Sequence, residues 1–227
     1  DKGMIHADYW TNHGQNRWPT GAVMTPYVGS HDTPRFATLA DYRGQDAAHD
    51  RGIPNNQWTN TAQAPTDAEP YRRTRLAYAW VLGLPGAPLL YYGDEYGQWG
   101  GSDPNNRLMW RPDTNLNANE LATLDVIRKV GKAKQTIPAL RRGKYVQVYN
   151  SSEDVLVYGR SISPGQSALV GINRASTSQN IMIDASKVGF MQGTVLKDAL
   201  GGSNVNVGPS GQTNLMIPAG SAFILAP

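Results

Sequence analysis

The alternation of apolar and polar positions changes character near residue 140. Upstream, residues 24–29 and residues 89–92 (Leu-Leu-Tyr-Tyr between Pro88 and Gly93) are short apolar runs that read as buried strands. Between them, residues 70–84 place Leu76, Trp80, Gly83 and Leu84 on one helical face, with Arg72, Arg73 and Arg75 near the start and Pro85-Gly86 as the stop. Strand, helix, strand is the order of a βαβ unit. A second helix is predicted from Asn117, an N-cap with Glu120 at the reciprocal capping-box position. Leu121, Leu124, Ile127 and Val130 form its buried stripe, and Ile137-Pro138 ends it. Downstream, runs rich in β-branched and aromatic residues recur at 145–149, 155–162, 168–173, 180–183, 193–196, 215–217 and 222–225, separated by Gly-, Ser-, Asn- and Pro-rich turns. That spacing predicts an antiparallel β-sandwich. The pattern therefore gives α/β architecture over residues 1–140 and an all-β domain over 141–227.

Two polar segments interrupt the first part, residues 41–69 and 94–116. Irregular stretches of that length in a compact domain are usually functional or disordered. The composition is that of a globular protein, 40% hydrophobic and 17% charged, with no apolar run long enough to span a membrane. A net charge of +3 from scattered Lys and Arg does not support nucleic-acid binding. The absence of cysteine excludes disulfides and thiolate chemistry and leaves the compartment open. Asp1 is followed by no signal pattern, so the chain reads as cut from something longer.

Chemistry is concentrated in three places. The first is Gly29-Ser30-His31-Asp32-Thr33-Pro34-Arg35, where a strand end delivers a His, an Asp and an Arg. In a parallel α/β barrel this is the end of a strand that carries function. Taken alone, Asp32 reads equally as a turn or N-cap residue. Beside His31 and Arg35 it is held ionised and can bind sugar hydroxyls or face a developing cation. The second is Asp94-Glu95. Neighbouring residues on an extended segment point to opposite faces, so acceptance of backbone N–H groups at the rim outweighs shared catalysis. The third is Asp103-Pro104-Asn105-Asn106-Arg107, whose spacing lets Asp103 and Arg107 meet across a tight turn, either as a loop ion pair or as a grip on hydroxyls. Trp58 and Trp99 stand in polar, Gly-rich contexts that suit the apolar faces of pyranose rings. His6 and His13 lack a carboxylate at metal-ligand spacing, and neither a phosphate loop nor a G-x-S-x-G elbow is present.

Together these residues resemble the α-amylase family of glycoside hydrolases (family 13). Residues 28–35, Val-Gly-Ser-His-Asp-Thr-Pro-Arg, resemble the motif ending barrel strand seven. Residues 84–95, Leu-Pro-Gly-Ala-Pro-Leu-Leu-Tyr-Tyr-Gly-Asp-Glu, resemble the strand-eight motif. Residues 103–107, followed by Met109-Trp110, resemble the loop after it, although Leu108 stands where many relatives have Pro. Ser30 in place of the usual Asn is most similar to neopullulanases, cyclomaltodextrinases and maltogenic amylases.

The resemblance implies that residues 1–140 are the end of a (β/α)8 barrel and residues 141–227 the family's C-terminal β-sandwich. It implies that Asp32 is the transition-state-stabilising carboxylate and that His31 hydrogen-bonds the sugar in the cleaved subsite. It implies that Asp103 and Arg107 contact sugars on the non-reducing side. Arg35 is grouped with them as a substrate-binding residue. The implied substrate is an α-glucan, with no nucleic-acid or membrane partner. No cofactor or metal is expected in this chain, and a calcium site is left open in the N-terminal part. The nucleophilic Asp and general-acid Glu of the family have no counterpart here. A retaining glycosidase needs both, about 5–5.5 Å apart. An N-terminal companion carrying them is therefore expected. The rival reading is a non-catalytic carbohydrate-binding or structural relative, which need not keep His31, Asp32 and Arg35 together.

Overall fold

The computed structural model describes residues 3–19, 21–41 and 61–227. Most of the polar segment 41–69, including Tyr42 and Trp58, lies outside the described residues. The helices are α1 (Gly3–Arg17), α2 (Phe36–Asp41), α3 (Glu69–Gly83), α4 (Ala118–Thr136) and α5 (Pro138–Arg142). The strands are β1 (Lys144–Tyr149), β2 (Val155–Ser163), β3 (Gln166–Asn173), β4 (Gln179–Asp184), β5 (Val195–Asp198), β6 (Val205–Asn206), β7 (Gln212–Ile217) and β8 (Ser221–Ala226). None of the described helices is long and apolar enough to cross a membrane. The expected boundary near residue 140 falls within α5, just before β1. Contacts gather the chain into two compact units, one of Asp1–Pro26, Ala79–Pro88 and Lys129–Pro227, the other of Tyr27–Tyr78 and Leu89–Arg128.

The β-rich unit is built from antiparallel pairs. One sheet has the order β1-β2-β3-β8-β5-β6 and a two-stranded sheet pairs β4 with β7. Their inward residues form one core, with Val155, Val157, Leu169 and Leu196 from the larger sheet and Ile181, Ile183, Leu215 and Ile217 from the smaller. Strict alternation of exposed and buried residues along β7 fixes its register, since a one-residue slip would turn the core face outward. Gly171 pairs with Phe223 across β3 and β8. A Cβ at Gly171 would sit 2.1 Å from the Phe223 ring, so only glycine lets that ring lie across the strand. The predicted run 193–196 shifts by two residues to β5, and its two-residue partner β6 carries too few residues to show a period.

In the same unit α1 was not foreseen. Its Asp8 is fully buried, and its carboxylate accepts hydrogen bonds from the Tyr145 hydroxyl, the Gln147 amide and, at 3.0 Å, the Asn150 amide. Two cations satisfy the carbonyls at the end of α3. Lys134 Nζ donates to the carbonyl oxygens of Leu82 (2.9 Å), Leu84 (3.2 Å) and Leu140 (3.2 Å). The fully buried Arg160 donates to the carbonyls of Gly83 and Gly143. Burial, with Arg160 and Arg141 nearby, brings the Lys134 ammonium down to about 8.

The first run departs from its expected form. Residues 24–29 and 89–92 form no strand and belong to no sheet, and no barrel forms among the described residues. Met24, Leu89 and Leu90 are about 40% exposed rather than buried. The Met24 carbonyl does accept the Ala87 N–H at 2.8 Å. A parallel strand is buried only when neighbours and helices cover it, and among the described residues no strand pairs with these segments.

The α4 capping box is present as predicted. Asn117 Oδ1 accepts the N–H groups of Asn119 (2.9 Å) and Glu120 (3.0 Å), while Glu120 Oε2 accepts the Asn117 N–H at 2.8 Å. Leu124, Ile127 and Val130 are buried, but Leu121 is exposed. The reason is that Glu120 and Thr123, both fully buried, take the inward face of the first turn, and Leu121 lies one step around the helix from Glu120. The Glu120 charge is matched there by Arg111 at 2.5 Å. At the start of α3, Glu69 pairs with Arg72 (2.5 Å) and Arg73 (2.9 Å). The Arg72 hydrogen bond, against some burial and helped by Arg73, pulls the Glu69 carboxyl down to about 2.

Truncating Leu124 to Ala should cost about 2–5 kcal/mol in denaturant unfolding, and Leu121→Ala no more than about 0.5 kcal/mol. Similar losses at both positions would refute the observed orientation of α4. Because Glu69 has a depressed pKa when folded, its contribution is complete above its ordinary value of 4.5 and fades as pH falls toward about 2. Acid titration of Tm should therefore be shallower over that window in Glu69→Gln than in the parent chain.

Candidate functional site

The residues singled out around the first motif fall in one unit. Residues 30–33 form a tight turn closed from both ends. The Ser30 N–H donates to Thr33 Oγ1 (3.0 Å), the Thr33 N–H to the Ser30 carbonyl (3.4 Å) and the Asp32 N–H to Ser30 Oγ (3.2 Å). Such a turn leaves its two central side chains facing solvent. His31 and Asp32 occupy those positions, 63% and 70% exposed, with His31 Nε2 3.2 Å from Asp32 Oδ2.

Residues 103–107 bring the other predicted pair to the same place. Arg107 Nε lies 2.9 Å from Asp103 Oδ1, and Arg107 Nη2 lies 3.8 Å from Asp32 Oδ1. Arg107 Nε also donates to the His31 carbonyl at 3.3 Å. The structure thus gathers His31, Asp32, Asp103 and Arg107 into one exposed cluster of two carboxylates, an imidazole and a guanidinium. Such a set can accept and donate hydrogen bonds to vicinal hydroxyls, and Asp32 presents a charge to any cation that develops beside it.

Arg35 does not join them, which corrects the sequence expectation. It is fully buried. Its Nη1 donates to the Tyr92 carbonyl (2.6 Å) and to Asp94 Oδ1 (2.9 Å), and its Nε donates to the Asn106 carbonyl (2.7 Å). The guanidinium lies 4.0 Å from the centre of the Tyr91 ring and 4.9 Å from that of Tyr92. Local sequence puts Arg35 next to the site, but α2 begins at the following residue and turns the side chain inward. Its role is to hold the loops that carry the cluster.

Asp94 has the structural role expected of it, with different partners. It accepts from the side chains of Arg35 and Tyr78 rather than from backbone N–H groups. Burial raises the Asp94 carboxyl, opposed by the Tyr78 hydroxyl and the Arg35 guanidinium, and burial beside Asp94 raises the Tyr78 phenol. Gly29 serves this pair, because a Cβ there would come within 2.9 Å of Asp94 Oδ2. Glu95 points elsewhere and accepts the Trp110 indole N–H at 2.8 Å.

Asn106 was not singled out by the sequence. It is fully buried, and its Nδ2 donates to the carbonyls of both His31 and Thr33, each at 2.8 Å. One amide therefore pins the turn on either side of Asp32. Its place between Asp103 and Arg107 in the motif is the only signal, since a buried Asn cannot be told from a loop Asn by sequence. Trp99, a candidate sugar platform, has Arg111 4.6 Å from its ring centre, so one face is already taken. Among the described residues no three His, Asp or Glu side chains converge to hold a metal.

Replacing Arg35 by Met should cost about 3–5 kcal/mol in denaturant unfolding, because it strands the Asp94 charge in the interior. A variant that unfolds like the parent but binds sugar poorly would instead restore Arg35 to the substrate ligands.

No family model matches the chain. Over 221 residues it is 31% identical to an amylopullulanase of Thermoanaerobacterium saccharolyticum, covering 92% of the chain and 16% of that protein. Its structure is similar to that of an α-amylase from Geobacillus thermoleovorans complexed with acarbose, with a TM-score of 0.71 and 22% identity over 96% of the chain and 41% of that one. It is also similar to AmyP in complex with maltose, with a TM-score of 0.73 and 19% identity over 95% of the chain and 44% of that one. At these identities the two structural likenesses speak for the fold. The chain spans about a sixth of the length of the amylopullulanase and less than half of each solved structure. Motifs, alignment and fold agree, and the chain belongs to the α-amylase family of glycoside hydrolases, family 13, matching the C-terminal region of its members.

Proposed function

We propose that the chain is the C-terminal part of a retaining α-glucan hydrolase or transglycosylase acting on α-1,4 or α-1,6 glucosidic bonds. In this reading residues 1–140 supply the last strands and helices of a (β/α)8 barrel, and residues 141–227 its β-sandwich. The single observation that carries it is the convergence of His31, Asp32, Asp103 and Arg107 on one turn pinned from beneath by Asn106. The maltose complex of AmyP supports an α-glucan as the ligand class. The exposed apolar residues Met24, Leu89 and Leu90, on segments that belong to no sheet, support an N-terminal companion that completes the barrel.

The chemistry then divides between the two parts. A carboxylate of the companion attacks the anomeric carbon, and a carboxylic acid of the companion protonates the departing oxygen. Positive charge gathers on the sugar ring as the bond breaks. Asp32, an acceptor-only carboxylate on a rigid turn, stabilises that charge and grips the hydroxyls of the distorted ring, with His31 beside it. Asp103 and Arg107 hold the next sugar. Water resolves the covalent intermediate in hydrolysis, and a sugar hydroxyl resolves it in transfer.

The test is Asp32→Asn in the assembled protein. Turnover of a maltooligosaccharide should fall by about 10²–10³-fold with folding and oligosaccharide binding retained. Near-normal turnover would sink the assignment.

A further inference from the structure

Outside the cluster, the chain carries a concave surface with a built polar floor. It lies in the β-rich unit, between α1 and the strand β1 with the residues that follow it. Its volume is about 370 Å³, and its walls include Asp8, Tyr9, Asn12, His13, Gln147 and Asn150. The reaction proposed above uses none of these residues.

The floor is preorganised. Asp8 is fully buried and takes the amide N–H groups of Gln147 and Asn150 along with the Tyr145 hydroxyl. An amide that donates to a fixed carboxylate is held by it, so Gln147 and Asn150 do not rotate freely. Asn12 accepts from Asn16 at 3.1 Å, which fixes a third amide along the helix. Above the floor stands an aromatic platform. Tyr9 is 55% exposed and stacks on His13, with ring centres 5.9 Å apart and planes 14° from parallel. Trp10 packs edge-on against both.

The buried Asp8 carboxylate and the amides it holds, beside an exposed flat ring, form a hydroxyl-matching surface. Among the described residues the recess is lined by no lysine or arginine and holds the Asp8 carboxylate, which disfavours anionic ligands, and its amides disfavour a purely apolar guest. A pyranose satisfies both parts, with equatorial hydroxyls for the amides and a C–H face for the ring. We propose that this recess binds a glucosyl unit of an α-glucan chain, as a non-catalytic anchoring site. The choice of glucan rests on the proposed function; the recess and its sugar chemistry do not.

The experiment uses the complete protein, this chain together with its companion, in native gels containing soluble starch. Acarbose held at the lowest concentration that stops turnover occupies the cleft, so retardation that persists reports a second site. Tyr9→Ala and Asn12→Ala remove the platform and one amide without touching the Asp8 bonds. Each should weaken the persisting retardation by about tenfold, equivalent to about 1.4 kcal/mol, with turnover of a short maltooligosaccharide unchanged. Retardation unaltered in both variants overturns the inference. So does loss of the companion or of short-substrate turnover in the variants, which would make the recess an internal contact. Absence of turnover in the parent protein would instead count against the proposed function, and starch retardation would still report on the recess.

Discussion

The ion pair between Arg35 and Asp94, 2.9 Å apart and almost entirely out of solvent, is the constraint on which the candidate site depends. Taking two charges out of water costs several kcal/mol each, and only excellent geometry offsets it. Here the geometry is supplied by loops that are distant in sequence. Arg35 reaches the carbonyls of Tyr92 and Asn106, its own N–H binds the Gly100 carbonyl at 2.9 Å, and Asp94 reaches Tyr78. Every one of these contacts needs the others to be in place. The pair therefore acts as a checkpoint on assembly, because a misplaced loop would leave a charge buried without its counterpart.

This explains why the interior around the cluster is polar. Thr38, Thr74, Gln98, Asn106, Glu120 and Thr123 are buried in the same unit as the ion pair. Apolar packing is tolerant of small displacements, whereas hydrogen bonds are directional and lose strength within a few tenths of an ångström. An exposed carboxylate that must face one point of a substrate gains more from the second kind of support. Asn106 shows the principle on the smallest scale, with two bonds from one side-chain nitrogen setting the height and tilt of the turn.

Much of this was legible in the sequence, for physical reasons. The α4 capping box, the α3 and α4 periodicities and the short strands after residue 140 are local patterns, and local patterns survive without knowledge of the rest of the fold. The cluster of His31, Asp32, Asp103 and Arg107 was legible because family motifs encode spacing. What was hidden depends on distant partners. Arg35 looks like a site residue until Tyr92, Asp94 and Asn106 are placed around it. Leu121 looks buried until Glu120 is seen to take the inward position for Arg111. The helix α1 has no apolar stripe to announce it, since its buried residue is Asp8, whose partners lie about 140 positions away. The runs 24–29 and 89–92 have the composition of buried strands, yet burial is a property of neighbours and not of the segment itself.

The carbonyls gathered by Lys134 and Arg160 carry a further consequence. Arg160 lies in the middle of the sheet and Gly83 at the last turn of α3, 77 residues earlier. Helix ends ordinarily fray first, because their last carbonyls have only water to bond. Here fraying would abandon a buried guanidinium that has no carboxylate partner among the described residues, so the end of α3 opens only when strand β2 also lets go. Amide exchange at that end should follow the slow rhythm of the sheet and not the fast one of a helix terminus. The two cations join distant parts of the chain into a single cooperative folding unit.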